Sequence, residues 1–307
     1  MADSVPLISI IIVNYDTSDL TLDCLKSLSK IYHPDFEFNV VVVDNGSQKE
    51  FKLPVKLRKD NLEIIRTDNN IGFTGGNNLG ITYAAKQYNP DYFLLLNSDT
   101  TVTPSFLHEL LLSIQGDDRG IAVSKILFEK GYEFYAKNYD KDHLGNVIWF
   151  AGGTIDWPYL RAFHRGVDEV DRGQFDHLVD TDFATGCCML IKREVIEEVG
   201  LLDKKYFLYL EDVDYSIRAK RKGYKIIFSP KSVIYHKNAG SSGGAGSKLH
   251  GYYQTRNRAL FFFRYAKIRY KITLVKLMIN QLMTGDEIQR QAVIDSILGR
   301  YGKQPFI

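Results

Sequence analysis

Short, continuous apolar runs alternate with helix-like segments over the first 126 residues. Residues 7–13 (LISIIIV) form an uninterrupted β-branched run, which is typical of a strand buried on both faces. Apolar side chains then recur at helical spacing over residues 20–31, and a second run, residues 38–43 (FNVVVV), stops at a DNGS turn cluster. This order predicts a strand, a helix and a parallel strand.

The alternation continues beyond this unit. Residues 62–65 predict a short third strand, residues 75–88 a helix and residues 91–96 a fourth strand, and Pro104 begins a helix with one apolar face. Strands alternating with helices predict a Rossmann-like, doubly wound and mostly parallel α/β sheet with helices on both faces. Ligands of such sheets bind beyond the carboxyl ends of the strands, where Asp44 and Asp99 both fall.

The pattern weakens over residues 129–182, where aromatic, glycine-bearing segments such as IWFAGGTIDWPY predict irregular strands and loops. Regular elements return with an apolar run at 184–191, helices at 194–200 and 211–222, and strands at 225–228 and 232–236. The stretch AGSSGGAGS that follows is flexible by composition. It separates the sheet from an aromatic, basic and helix-like segment at 252–283.

The composition is that of an ordinary globular protein. A chain of 307 residues, 45% apolar and 13% aromatic, can fill a sizeable core in one large domain or two small ones. Two of the three cysteines are adjacent and none falls in a CxxC spacing, so we expect a reducing, cytosolic compartment. An acidic residue precedes the first apolar run, so we expect neither a signal peptide nor a membrane span there.

The net charge of +2 hides a polarised distribution. No Asp or Glu occurs between Asp214 and Asp286, whereas fifteen Lys and Arg fall in that stretch. A basic C-terminal third suits an anionic partner, which could be a diphosphate, an acidic lipid surface or a nucleic acid. A solvated basic face would have the same composition, so charge alone does not choose between them.

Polar turns follow two of the predicted strands. Asp44 could accept hydrogen bonds from a base imide or a ribose hydroxyl, although DNGS also forms an Asx turn by itself. Asn97 and Asp99 place two oxygen-bearing side chains on one side of an extended segment just past FLLL. Such hard ligands suit Mg²⁺ or Mn²⁺, and a divalent cation neutralises a departing diphosphate. Capping of the following helix is the structural alternative.

A glycine-rich segment, GFTGGNN at residues 72–78, leads into a predicted helix. Its backbone N–H groups could approach a nucleotide closely, and a tight turn with positive φ is the structural alternative. The segment is neither GxGxxG nor a P-loop. A dinucleotide dehydrogenase would have its glycines after the first strand, where this chain has Asn14.

Three acids, Glu211, Asp212 and Asp214, open a helix after the aromatic run YFLYL. The helix dipole favours carboxylates at this end, which is a sufficient structural reason for one of them. Three exceed what capping requires, and an aromatic wall suits a general base beside the apolar face of a sugar. Both interpretations remain open at this point.

Two further clusters lie near the flexible stretch. His236 ends the strand SVIYH and could complete a metal site or contact phosphate, although a lone histidine is more often structural. Arg256 and Arg258 flank Asn257 on the basic helix, where guanidinium groups could hold a diphosphate or could simply form a surface pair.

Taken in this order, the clusters resemble the inverting GT-A glycosyltransferases of family 2. The resemblance runs over about residues 7–260, through SIIIVNY, VVVVDNGS, NNIGFTGGNN, FLLLNSD, ATGCCMLIKRE, FLYLEDVDYSIRAKRKGY, IYH and YYQTRNR. These motifs are weak singly and specific jointly. The NxGFxxGNN pattern with an Asn-Ser-Asp version of DxD is most similar to dTDP-rhamnose-dependent rhamnosyltransferases, which build bacterial O-antigen and related cell-surface polysaccharides.

The resemblance implies a role for each cluster. Asp212 would deprotonate the acceptor hydroxyl, with Glu211 and Trp157 on the acceptor side, and Asp99 and His236 would hold a divalent cation, Mg²⁺ or Mn²⁺. The residues that would bind the donor are Asn14, Asp44, Gly75, Gly76, Asn77, Asn97, Arg256 and Asn257. Asn97 stands where many members have Asp, which removes one negative charge and should weaken metal affinity.

The resemblance also implies a domain plan. A GT-A catalytic domain would occupy residues 1–250, with a nucleotide-binding half at about 1–126 and an acceptor-binding half at about 127–250, followed by a basic amphipathic helical region at 251–307. The tail has no charge-free run long enough to span a bilayer. We therefore expect it to lie against the catalytic domain and the inner face of the cell membrane, where lipid-linked acceptors are found.

Other functions remain alternatives. The donor could be a UDP-sugar, or the chain could be a non-catalytic nucleotide-sugar-binding protein, which would tolerate loss of Asp212. A nucleic-acid-binding module would explain the acid-free third. Its aromatic residues fit a helical apolar pattern rather than an RNA-binding motif, so we expect a nucleotide-sugar donor, a glycan or lipid-linked glycan acceptor, and no nucleic acid.

Overall fold

The apolar runs of the first half become the strands of a central sheet. A computed structural model describes residues 5–238 and 247–304, so that most of the glycine- and serine-rich stretch, residues 239–246, lies outside the described residues. The strands are β1 (Leu7–Asn14), β2 (Glu37–Asn45), β3 (Leu62–Thr67), β4 (Tyr92–Asn97), β5 (Thr100–Val102), β6 (Arg119–Phe128), β7 (Ile148–Phe150), β8 (Gly153–Asp156), β9 (Arg161–His164), β10 (Val179–Asp180), β11 (Cys188–Lys192) and β12 (Lys225–His236).

The sheet has the spatial order β10-β12-β6-β11-β4-β1-β2-β3, with β5 paired to β12 and β7 to β6. Strands β4, β1, β2 and β3 are parallel neighbours, so their carboxyl ends lie at one edge. The predicted, mostly parallel α/β sheet is therefore confirmed. The short strands β5, β7 and β10 pair antiparallel at its margins, and within the sheet β11 runs antiparallel between β4 and β6. Its apolar sequence carries no signal of direction, because a strand buried on both faces looks the same either way.

Helices cover the sheet and extend beyond it. They are α1 (Ser18–Leu28), α2 (Gly72–Tyr88), α3 (Phe106–Ser113), α4 (Arg193–Val199), α5 (Glu211–Arg221), α6 (Lys248–Tyr265), α7 (Ile268–Thr284) and α8 (Glu287–Ile297). Two boundaries differ from the sequence prediction. The glycine-rich segment belongs to α2, which begins at Gly72, and the two strands predicted at 225–228 and 232–236 form one strand with an irregularity between Ser229 and Val233.

Glycines bring α2 unusually close to β1. A Cβ on Gly76 would lie 2.8 Å from Cγ1 of Val13, and a Cβ on Gly80 would overlap Cγ2 of Ile11. The buried, branched side chains of β1 thus fill the space that a larger helix residue would need. Close helix–strand packing, rather than a turn, explains these glycines.

The C-terminal helices pack onto the same core as the sheet. Apolar side chains of α6 belong to the main buried cluster, and Phe261 stacks on Trp157 of the loop between β8 and β9, with ring centroids 6.0 Å apart. A smaller buried cluster joins Phe207 to Tyr252 and Tyr253 of α6. Helix α6 therefore contacts both the irregular middle region and the loop before α5. The proposed domain boundary near residue 250 stays a prediction.

Candidate active site

A network of polar side chains joins the carboxyl ends of β1 and β2. The Asn14 side-chain amide donates to Asp44 Oδ1 and to Ser47 Oγ, both at 3.1 Å, and its oxygen accepts from Thr21 Oγ1 at 2.8 Å. Asn14 and Asp44 are both fully buried. These bonds fix the DNGS turn against β1, at the edge where α/β sheets bind ligands.

Asp44 is ionised within this network. Burial by itself would raise the pKa of its carboxyl group, but hydrogen bonds from Ser47, the Phe51 backbone and Asn14, together with the Arg66 charge, outweigh burial and lower that pKa. Arg66, which lies opposite Asp44 in the pairing of β2 with β3, forms an ion pair with it. The second guanidinium nitrogen of Arg66 donates a hydrogen bond to Ser47 O at 2.8 Å. Sequence reasoning missed Arg66, whose only signal was a basic residue near the end of a strand.

The second cluster joins β4 to β12. Asp99 follows β4, and its Oδ1 lies 3.0 Å from Nε2 of His236, the last residue of β12. Both side chains are buried, and the ring of Trp149 packs against the imidazole with centroids 4.5 Å apart. Asn97 ends β4 half-buried, and its backbone N–H donates to Cys187 O at 2.9 Å. The structure thus brings together the two residues expected to hold a metal.

The donors of this cluster suit a divalent cation shared with a diphosphate. The other imidazole nitrogen of His236, Nδ1, is buried and has no hydrogen-bond partner among the described residues. The two imidazole nitrogens face different directions, so a cation shared with Asp99 would be bound by Nε2, the nitrogen that lies against the carboxylate. No group of three or more potential ligand side chains occurs within residues 5–238 and 247–304. Phosphate oxygens and water would complete the shell, as is usual for Mg²⁺.

The third cluster opens α5. Asp212 is half-buried, and its oxygens accept from the backbone N–H groups of Gly186 at 3.0 Å and Val213 at 2.8 Å. Glu211 is almost fully buried, and its Oε2 has no partner within the described part of the chain. Burial raises the pKa of both carboxyl groups, and the neighbouring Asp212 charge raises that of Glu211 further. The two groups therefore form a coupled pair that holds protons more tightly than exposed carboxyls.

Asp214, the third acid, has a separate environment. Its fully buried carboxylate accepts from Arg218 Nε at 2.8 Å, from Arg264 Nη1 at 2.7 Å and from the hydroxyls of Tyr206 and Tyr265. Arg218 lies on α5, Arg264 and Tyr265 lie on α6, and Tyr206 lies in the aromatic loop before α5. Asp214 therefore ties α6 to α5, and it is not available to a substrate.

The segment before β11 connects the second and third clusters. Gly186 donates its N–H to Asp212, while the next residue, Cys187, accepts from the backbone of Asn97. A Cβ on Gly186 would lie 2.9 Å from the ring of Phe73, so the first turn of α2 also packs here. Two consecutive residues thus place the Asp212 carboxylate next to the end of β4. The sequence contained this segment as ATGCC, but its bridging role depends on contacts that no spacing reveals.

The loop leading into α5 has strained backbone. Phe207, Tyr209 and Leu210 have φ angles of 64°, 70° and 66°, in a region that non-glycine residues avoid. Asn257 of α6 donates its side-chain amide to the carbonyls of Tyr206, Leu208 and Tyr209 at 2.8–3.0 Å. A single buried amide therefore holds the loop that ends two residues before Asp212.

Arg256 supports the same loop, and the predicted contact of Arg256 and Asn257 with a diphosphate stays a prediction. The guanidinium is fully buried and donates to the carbonyls of Lys205, Tyr206 and Gly302, while its Nε donates to Asn257 Oδ1. All the polar groups of the pair are directed to protein carbonyls. An amide and a guanidinium satisfy exposed loop carbonyls as well as they bind a phosphate, so sequence alone could not choose.

The glycine-rich segment lies within a helix, and its predicted role in donor binding stays a prediction. Gly75 and Gly76 lie buried inside α2, where added side chains would meet Ile71 and Val13, and the Asn77 amide donates to Phe73 O at 2.9 Å. Their backbone N–H groups belong to a helix packed on β1. Trp157, expected on the acceptor side, stacks half-buried on α6.

Comparison with known proteins identifies the family of the chain. Residues 6–261 match the family model described as "Glycosyltransferase like family 2". The chain is 29% identical over 219 residues to the low-salt glycan biosynthesis hexosyltransferase Agl10 of Haloferax volcanii, covering 71% of this chain and 63% of that protein. It is 23% identical over 215 residues to an N-acetylglucosaminyl-diphospho-decaprenol L-rhamnosyltransferase of Mycobacterium tuberculosis, covering 67% of this chain and 68% of the relative.

A solved structure shares the fold. The crystal structure of GalNAc-T7 with UDP, GalNAc and Mn²⁺ superposes with a TM-score of 0.64 at 17% identity, covering 97% of this chain and 55% of that one. At this identity the likeness concerns the fold alone. The chain spans less than two thirds of the length of Agl10, so the activity of the whole relative does not transfer directly.

Proposed function

The chain belongs to glycosyltransferase family 2, and from this premise we propose that it is an inverting hexosyltransferase acting on a nucleotide-diphosphate sugar. The observation that carries the proposal is the bridge at Gly186 and Cys187. It sets a carboxylate with raised proton affinity, Asp212, beside the strand end that bears Asp99. A base next to a site for a diphosphate is the arrangement that single-displacement sugar transfer needs.

In the proposed reaction Asp212 accepts the proton of an acceptor hydroxyl. The hydroxyl oxygen attacks the anomeric carbon from the face opposite the diphosphate, the bond from that carbon to the phosphate oxygen breaks, and the nucleoside diphosphate leaves with the bonding electron pair. The anomeric configuration inverts. The raised pKa of Asp212 suits this role, because a base with higher proton affinity removes a hydroxyl proton more effectively.

Asp99 and His236 are proposed to hold a divalent cation beside the leaving group. When bound, Mg²⁺ or Mn²⁺ would supply positive charge to the departing diphosphate. The support is the buried contact itself, which sets a carboxylate oxygen of Asp99 beside the Nε2 nitrogen of His236. Asn14, Asp44 and Asn97 would shape the nucleotide side of the donor site, while Glu211 would lie beside Asp212 on the acceptor side.

For the donor we propose dTDP-L-rhamnose, with a glycan or lipid-linked glycan of cell-surface polysaccharide assembly as acceptor. The support is the L-rhamnosyltransferase among the relatives. A thermal-shift screen of dTDP-, UDP- and GDP-sugars with and without Mn²⁺ tests it, since a ligand stabilises the fold in proportion to its binding. If a UDP-sugar stabilised the protein more than dTDP-rhamnose does, the UDP-sugar would be the donor and the proposal of dTDP-rhamnose would be wrong.

The base assignment is tested with Asp212→Asn, using the exposed Asp117→Asn as the matched control. The amide keeps the side-chain shape but accepts no proton. We expect Asp212→Asn to retain donor-induced stabilisation and to lose sugar transfer by about 10²–10⁴-fold, with Asp117→Asn unchanged. Transfer at the parent rate by folded Asp212→Asn would refute the assignment, and donor binding without turnover by the parent chain would indicate a binding protein.

A further inference from the structure

Helix α7 presents a continuous apolar stripe to the solvent. Its members are Ile268, Ile272, Val275, Ile279 and Met283, each between 43% and 77% exposed. Their spacing of three to four residues places them on one face of the helix. At a rise of about 1.5 Å per residue the stripe is about 22 Å long. An exposed apolar surface of this length is unusual for a surface that faces only water.

The opposite side of α7 holds the helix on the protein. Leu274 and Met278 are buried in the main core cluster, and they alternate with the stripe along the chain. The helix is therefore anchored through one face while the other stays uncovered by the described residues. In a globular protein an amphipathic helix normally has an apolar face where it packs on the core and a polar face toward the solvent.

Positive charge flanks the stripe. Lys267 precedes α7, Arg269, Lys271 and Lys276 lie on it, and the helix contains no acidic residue. None of these four cations forms an ion pair with a carboxylate within the described ranges. The nearest following acids, Asp286 and Glu287, lie past the end of the stripe, where α8 begins.

We propose that α7 lies in the plane of an anionic lipid bilayer, with the stripe in the headgroup–acyl boundary and the flanking cations at the lipid phosphates. Apolar side chains flanked by unpaired cations are the combination that binds such an interface. A second copy of the chain is a poorer occupant, because a two-fold contact would oppose the same cations across the interface. Within the described residues no helix is long and apolar enough to cross a bilayer.

Flotation of the full chain with vesicles tests the proposal. We expect the parent chain to float with phosphatidylcholine vesicles containing phosphatidylglycerol at low salt, and to remain unbound with phosphatidylcholine alone. The variant Ile272→Glu/Ile279→Glu should lower the partition coefficient more than about tenfold, because it places two charges in the stripe. The matched control is Leu112→Glu, an exposed apolar residue on α3, which should float as the parent does.

The cations are tested separately. Each of Lys271→Gln and Lys276→Gln should lower partitioning onto anionic vesicles about fivefold, with thermal unfolding unchanged. Absence of parent binding at low salt, or equal binding by the stripe variant, would overturn the proposal. The proposal would also be overturned if light scattering found that the parent chain is a dimer and that only the stripe variant is a monomer. The proposal does not rest on sugar transfer, so a failed flotation would leave the transferase proposal intact.

Discussion

Replacing Asn257 with Ala should loosen the loop that leads to Asp212. In the structure the Asn257 amide donates to the carbonyls of Tyr206, Leu208 and Tyr209, and its oxygen accepts from Arg256 Nε. Two donated protons and one accepted bond, at about 1 kcal/mol each, give a loss of about 3 kcal/mol. The carbonyls of Leu208 and Tyr209 would lose their side-chain donor, while that of Tyr206 keeps Arg256, so the loop would relax from its strained φ angles.

Urea unfolding followed by tryptophan fluorescence measures this loss. With an m-value of about 3 kcal/mol/M for a chain of this size, the midpoint should fall by about 1 M. Because the loop ends two residues before Asp212, kcat for sugar transfer should fall about 100-fold, while the donor KM changes little. Asn280→Ala, on the exposed surface of α7, is the matched control. An unchanged midpoint together with kcat within twofold of the parent would refute the reasoning.

Three further predictions concern the carboxylates and glycines. The transfer rate should rise with pH through the pKa of Asp212, which burial raises, because the base works only when deprotonated; Glu211→Gln should leave this limb of the pH–rate profile in place, because the Asp212 charge raises the pKa of Glu211 and Glu211 is therefore still neutral when Asp212 loses its proton, and a shifted limb would contradict this order. Asp214→Ala removes the buried carboxylate that accepts from two half-buried arginines and two tyrosine hydroxyls, and it should lower the urea-derived free energy of unfolding by about 3–5 kcal/mol; a loss under 1 kcal/mol would contradict its role. Gly80→Ala, which would overlap a β1 side chain, should cost about 1–3 kcal/mol of unfolding free energy, whereas Gly251→Ala, with open space at its Cβ, should stabilise by up to about 1 kcal/mol; equal effects would refute the packing argument.

The sheet was predictable because its strands are buried on both faces. Continuous β-branched runs such as that of β1 have few other stable environments, and the position of Asp44 and Asp99 after such runs followed directly. The contact between Asp99 and His236 could not be predicted in this way, because it depends on the tertiary structure. It depends on β12 pairing with β5, which places His236 opposite Thr100.

The contacts of Arg256, Asn257 and the glycines of α2 could not be predicted from the sequence, for a shared physical reason. A polar pair such as Arg256 and Asn257 satisfies buried carbonyls as readily as it binds a phosphate, and the strained loop that it holds leaves no mark in the sequence. Glycines likewise permit either a turn or close packing. The deciding neighbours of Gly76 and Gly80 are side chains of β1, about 65 residues earlier in the chain.

Asp99 and His236 meet although 137 positions separate them. A chain is synthesised from its N-terminus, and its parts begin to fold as they emerge. A nascent chain that ends after β11 already contains the four parallel strands and the Asn14–Asp44 network, but it has neither β12 nor α6. Such a chain would lack His236 and the helix that holds the loop before Asp212. The Asp99–His236 contact and the support of the loop before Asp212 can thus form only after β12 and α6 have been synthesised.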